Sequence, residues 1–185
     1  MTNHSPALLL AVTLISTPVF ADNLTVELAE IGVEDGDTLI ADIDGVSERL
    51  QLPLIDSPED EDNAKLQHDI KRTGLAPAAL LALGSAATAH LISLTADGGP
   101  FLVVCDLNDR DRYGRITAEI SDKNSRSLAS AMLTDGYAKV LIPRQPEAPP
   151  PSQLMALEAE AIAASRGIWG ADTVTARAWH GGLPQ

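Results

Sequence analysis

Basic residues are scarce in this chain: 13 Lys and Arg stand against 26 Asp and Glu, for a formal net charge of −13. Phosphate contacts dominate the affinity of proteins for nucleic acid, and proteins that hold it tightly are basic. The charge balance therefore counts against a long-lived grip on DNA or RNA. It leaves room for a hydrolase that touches its substrate briefly, above all one using a divalent cation. Cysteine is nearly absent. Cys105 is the only one, so no intramolecular disulfide can form. Its place in the run Phe101-Leu102-Val103-Val104-Cys105 predicts a buried core thiol rather than a nucleophile.

Residues 1–21 contain no Lys, Arg, Asp or Glu. Within them residues 7–15 are apolar, and Val19-Phe20-Ala21 places small residues at the spacing of a cleavage site. This predicts a secretory signal peptide cut after Ala21, and export to the periplasm or the medium. No basic side chain opens it, so only the terminal amine is positive there. The run is too short, and too interrupted by Thr, Ser and Pro, for a membrane anchor. No other segment reads as long and apolar enough to span a bilayer. The expected mature chain is soluble, free of the membrane and monomeric.

With 185 residues, 45% of them hydrophobic, the chain suits one domain with a modest core. It shows no internal repeats. Strands are predicted over residues 24–28, 38–43 and 48–55, with Asp44-Gly45 as a hairpin turn between the last two. Leu50, Leu52 and Leu54 share one strand face, and Pro53 predicts an edge or a bulge. Residues 59–74, with four consecutive acids at Glu59 to Asp62, read as a mobile loop. Leu80, Leu83, Ala87, Leu91 and Leu94 then repeat at helical spacing. Further strands are expected over 101–105, 116–120 and 137–142, with a short helix around Leu128, Ala131 and Met132. The five prolines of residues 143–151 predict an extended linker. A last helix should follow, with Ser152 as its N-cap and Gly167 as its stop. From Ala171 there is little pattern. Five strands closed into a barrel with three peripheral helices would give an OB-like α+β fold; an α+β sandwich fits the element order nearly as well.

Three clusters could carry chemistry: Asp35-Gly36-Asp37-Thr38, Asp56-Ser57-Pro58-Glu59 and Asp111-Arg112-Tyr113-Gly114-Arg115. Carboxylates at strand ends suit a hard cation such as Ca²⁺. A nearby arginine can pair a phosphate with two prongs, and a further carboxylate can take a proton from water. Singly, each cluster is an ordinary turn or strand end.

In this order they resemble the three characteristic segments of the staphylococcal nuclease (thermonuclease) family, and Gly136-Tyr137-Ala138 and Gly167-Ile168-Trp169 match two more of its landmarks. The resemblance spans roughly residues 24–170, within a domain running from 22 to 170. It implies an OB-fold barrel and Ca²⁺-dependent hydrolysis of DNA or RNA, met weakly and transiently. By position, Asp37 and Asp56 would ligate Ca²⁺ with the Ser57 backbone carbonyl. Glu59 would be the general base. Arg115 would bind the scissile phosphate, and Arg112 and Tyr113 a neighbouring one.

One departure concerns charge. The family carries a second phosphate-binding arginine five residues before the aspartate that is Asp56 here, and that position is Gln51. Losing one preorganised donor typically costs ~10²–10³ in turnover, and losing an arginine on the transferring phosphoryl group about 10³–10⁵. Arg49, on the same strand face and about 6.6 Å away by strand rise, either reaches across or pairs with Glu48 or another acid. Two tyrosines of the family pocket fall at Ile142 and Arg144, which leaves Tyr113 as the aromatic partner for a base.

The leading reading is thus an exported nuclease of reduced or altered activity. The second is a catalytically inactive OB module that binds a partner, and a third is a purely structural Ca²⁺ site. His68 and His90 lack metal-ligand spacing, Trp169 reads as a core plug, and Trp179-His180 receives no role.

Overall fold

Along Thr38–Ile43 and Val46–Gln51 buried and exposed residues alternate, as a half-buried strand requires. In the computed structural model, which describes residues 23–142 and 152–181, these are β3 and β4. Their hairpin turns at Asp44 and Gly45, both at positive φ (54° and 82°), the conformation that Asp-Gly favours because glycine carries no Cβ. The predicted signal peptide, the proline-rich linker and Arg144 lie outside the described residues.

The sheet runs β1(Leu24–Leu28), β6(Phe101–Arg110), β7(Ile116–Ser121), β4, β3, β2(Gly32–Val33). Its two edges are consecutive pieces of one N-terminal strand, joined by Ala29, Glu30 and Ile31. β1 pairs antiparallel with β6, and β2 pairs antiparallel with β3. The sheet therefore curls back on itself as a barrel of five strands, the first of them bent in two. β4 and β7 meet in parallel, Leu50 opposite Ile116. Leu39, Leu50, Val103, Ile116 and Ile120 fill the interior with no exposed surface, and Cys105 is buried among them, as expected.

Six helices stand among the described residues, rather than three. The stretch read as a mobile loop folds into α1(Ala64–Thr73), capped by Asn63, whose side chain accepts from the backbone N–H of Lys65 and Leu66. Gly74, at φ 69°, ends it. The residues read as patternless from Ala171 include α6(Thr173–His180), which buries Trp179 completely. With α2(Pro77–Thr95), α4(Ser152–Ala163) and α5(Ile168–Ala171) these helices enclose a second core around Leu66, Leu80, Leu83, Trp169 and Trp179. α3(Leu128–Thr134) closes the barrel's first core. Ser152, expected as a cap, is the first residue of α4.

Two further expectations change. α2 is 19 residues long and largely apolar, so one helix among the described residues does pass the length and composition test for a membrane span. Here it packs Leu83 into one core and Leu91 into the other. The alternation through Leu50, Leu52 and Leu54 breaks after Leu52. Pro53 cannot donate to a ladder, Leu54 takes φ 59° and is partly exposed, and the chain starts a separate ladder. There β5(Ile55–Asp56) pairs antiparallel with β8(Lys139–Val140), much shorter than the strand expected over 137–142.

Candidate active site

The turn entering β3 is built by Asp35. Its Oδ1 accepts from the backbone N–H of Asp37 at 3.0 Å and of Thr38 at 2.7 Å, an Asx turn. Gly36 lets this turn press on the next acidic segment. A Cβ there would stand 2.5 Å from Ser57 Oγ and 2.9 Å from the Ala87 Cβ. The two segments are then joined directly, because the buried Asp37 accepts through Oδ2 from the Ser57 N–H at 2.8 Å.

Asp56, at the end of β5, faces two ammonium groups: Lys65 Nζ at 2.7 Å and Lys139 Nζ at 3.3 Å. Lys65 Nζ also donates to the Ser57 carbonyl at 2.9 Å and to Glu59 Oε1. Asn63 donates to the other Glu59 oxygen. The Glu59 backbone rests on α2 at Gly84, where a Cβ would come within 2.0 Å of the Glu59 carbonyl oxygen. Gly84→Ala is therefore expected to cost about 1–3 kcal/mol of stability through overpacking, with displacement of the Glu59 segment. Denaturant unfolding of the variant checks this.

The charges shape one another. Burial pushes the Asp56 carboxyl up, but Lys65 and Lys139 outweigh it and hold the group below its usual range. Burial likewise opposes the Lys65 charge, and the fields of Asp56, Asp37 and Glu59 overcome it, so its pKa is raised. At Asp35 burial wins. Burial, then Asp37 and Glu59, push it up to about 7.

An acid raised in the fold keeps a proton that the unfolded chain has released. Stability should therefore fall as pH rises from the ordinary aspartate range toward 7. Asp35→Asn keeps a carbonyl acceptor for both N–H groups and removes the repulsion. In EDTA it is expected to melt higher than the parent protein at pH 8, with the gain fading toward pH 4. Thermal unfolding across that range measures it.

Arg115 borders the same acids. Its Nε donates to Asp111 at 2.9 Å and its Nη1 to Thr38 Oγ1 at 3.3 Å. It lines two adjoining clefts. One, of about 330 Å³, also holds Arg49, Glu59, Lys65 and Tyr113. The other, of about 370 Å³, holds Asp37, Gln51, Asp56 and Asp111.

Arg49 is held by both oxygens of Glu34 rather than by Glu48, which takes Arg110 instead. Gln51 bonds the Thr38 hydroxyl at 3.2 Å. Arg49 thus lies on the Glu59 side of Arg115, and Gln51 on the Asp56 side. Arg112 lines neither cleft; it sits 4.7 Å over the exposed Tyr113 ring. Elsewhere, His90 stacks on Tyr137 and meets Asp135 at 3.0 Å, a packing residue. His68 is exposed.

The donor set fits a divalent cation in kind. Asp37, Asp56 and the Ser57 carbonyl are hard oxygens, as Ca²⁺ prefers, and an ammonium already sits on two of these residues. Among the described residues, however, no three His, Cys, Asp or Glu side chains form a ready metal cluster.

Sequence reasoning missed Lys65, Lys139 and the turn-building role of Asp35. One signal for Lys65 existed. A lysine in the first turn of a helix opposes the helix dipole and so points to carboxylates nearby.

The chain matches the staphylococcal nuclease homologue family over residues 49–171, which include Asp56, Ser57, Glu59 and Arg115 but begin after Asp37. Among curated proteins none matches it. With most of its length inside the match and a curled barrel-like sheet carrying these residues at its rim, the chain belongs to the staphylococcal nuclease homologue family and has its OB fold.

Proposed function

We propose that this protein is an exported, Ca²⁺-dependent nuclease that hydrolyses phosphodiester bonds in DNA or RNA, with turnover altered by Gln51. The observation that supports this most is that Asp37, Asp56, Ser57 and Glu59 are tied together through the Ser57 N–H and Lys65, while Arg115 lines both the cleft of Glu59 and that of Asp37 and Asp56. Asp37, Asp56 and Ser57 would hold the ion, which when bound polarises the phosphoryl oxygen and orients a water. Glu59 is placed to take a proton from the attacking water. Arg115 balances the charge that develops on the phosphate. Arg49 lies within the same cleft as Glu59 and Arg115, so a phosphate strong enough to draw it from Glu34 would gain a second guanidinium. Contact is brief because the net charge of −13 repels the substrate. The uncharged residues 1–21 support export.

The second reading, an inactive binding module, draws on a specific arrangement. Asp56 is already neutralised by two lysines, and Arg49 is already engaged by Glu34. The test is cleavage of single-stranded DNA by purified residues 22–185 in Ca²⁺, with EDTA as control. The nuclease reading expects cleavage that EDTA abolishes. It also expects a gain approaching ~10²-fold in Gln51→Arg, which restores a charge-stabilising donor. Cleavage by neither protein would overturn the nuclease reading.

A further inference from the structure

Lys65 is placed as a cation rather than as an ordinary surface lysine. An ammonium has three N–H donors, and here all three have partners: Asp56 Oδ1 at 2.7 Å, the Ser57 carbonyl at 2.9 Å and Glu59 Oε1. Two of these acceptors belong to the residues proposed to hold the divalent ion, and the third to the proposed base. Asn63 fixes the root of the side chain by accepting from the Lys65 N–H at 3.0 Å. Beyond that root is a flexible four-carbon stem, and the side chain is 40% exposed. It can swing into solvent without any change in α1.

Lys139 differs. It bonds the second Asp56 oxygen from a position packed over the Trp179 ring, 4.2 Å from its centroid, and within 3.4 Å of the Trp179 carbonyl. It is 16% exposed and has no comparable way out.

From this geometry we infer that Lys65 is a tethered competitor for the divalent-cation site, so that loading the ion and withdrawing the lysine are one event. The inference rests on the proposed function in one respect only, that a divalent ion binds at Asp56 and Ser57. An ion there takes the oxygens that Lys65 holds, and an ammonium left within 2.9 Å of them would face the ion's like charge at close range. The withdrawal also frees Glu59 Oε1 for a water proton. Without the ion the base is therefore occupied by an internal ammonium, and with it the base is available. Lys139 stays on Asp56 throughout and keeps that carboxylate in place.

Two measurements on the full mature chain test this. Calorimetric titration with Ca²⁺ compares the parent protein with Lys65→Met, which keeps the stem and loses the charge, and with Lys65→Arg, which keeps the charge. A site held by an internal occupant for 90–99% of the time binds about 10–100-fold more weakly than a free one. Lys65→Met should tighten binding by that factor, and Lys65→Arg should not. Independently, the rate of reductive methylation of each lysine in the unaltered protein is followed by mass spectrometry. Lys65 should label slowly in EDTA and faster in saturating Ca²⁺, with Lys139 unchanged.

Equal or weaker binding by Lys65→Met, or Lys65 labelling that Ca²⁺ fails to accelerate, overturns the competition and leaves the nuclease reading standing. Absence of Ca²⁺ binding in every protein overturns both. If Lys65→Met does not fold, the labelling of the unaltered protein decides alone.

Discussion

Replacing Arg115 with alanine is expected to lower kcat for phosphodiester cleavage by about 10³–10⁵, the range for an arginine that stabilises a transferring phosphoryl group. The size follows from what surrounds it. Arg115 is the arginine that borders both clefts. Gln51 on one side is neutral, and Arg49 on the other is held by Glu34, so no neighbour takes over unaided. KM should change far less than kcat, because the charge that Arg115 meets grows in the transition state. Arg115→Lys should recover only part of the loss, since lysine lacks the planar fork. Losing the Asp111 pair should cost under about 1 kcal/mol of stability, as partly exposed pairs do. Steady-state kinetics on single-stranded DNA, with a melting curve for each variant, separate these effects.

Glu59→Gln should lower kcat by about 10²–10⁴, the usual worth of a positioned general base. Glutamine fits the same space and still accepts from Asn63, so the fold should survive. The base is lost while Asp37, Asp56 and Arg115 keep their places, so kcat should fall far more than KM. A variant that cleaves at the parent rate would remove Glu59 from the mechanism.

Much of this molecule was readable before folding, and the unread parts have physical reasons. The Asp44-Gly45 hairpin was legible because few dipeptides accept two successive positive φ angles. α2 was legible because five of its apolar residues keep one helical face. α1 was hidden because it covers the second core with a narrow face, chiefly Leu66 and Ile70, behind a run of acids that reads as solvated. α6 offers one large buried side chain, Trp179, among small and polar neighbours, so no repeat announces it. The split of the first strand leaves no trace in alternation, since β2 is two residues long.

The site shows the same division. The acidic and basic clusters were visible as motifs, and they converge because each ends or begins a strand at one rim of the barrel. The lysines were invisible because their meaning comes from partners far along the chain: Lys139 reaches Asp56 only through the β5–β8 ladder. Arg112 shared a motif with Arg115, yet it lies over the Tyr113 ring and lines neither cleft.

The family match stops at residue 171, and trimming the protein at that boundary would look harmless. It would remove the indole floor beneath Lys139 and the carbonyl that Arg72 and Lys139 both address. Lys139 would lose its anchor while Asp56 still called for a counter-charge. A shortened version that had lost activity would then report a missing brace behind the metal-side carboxylate, and nothing about the chemistry at the front.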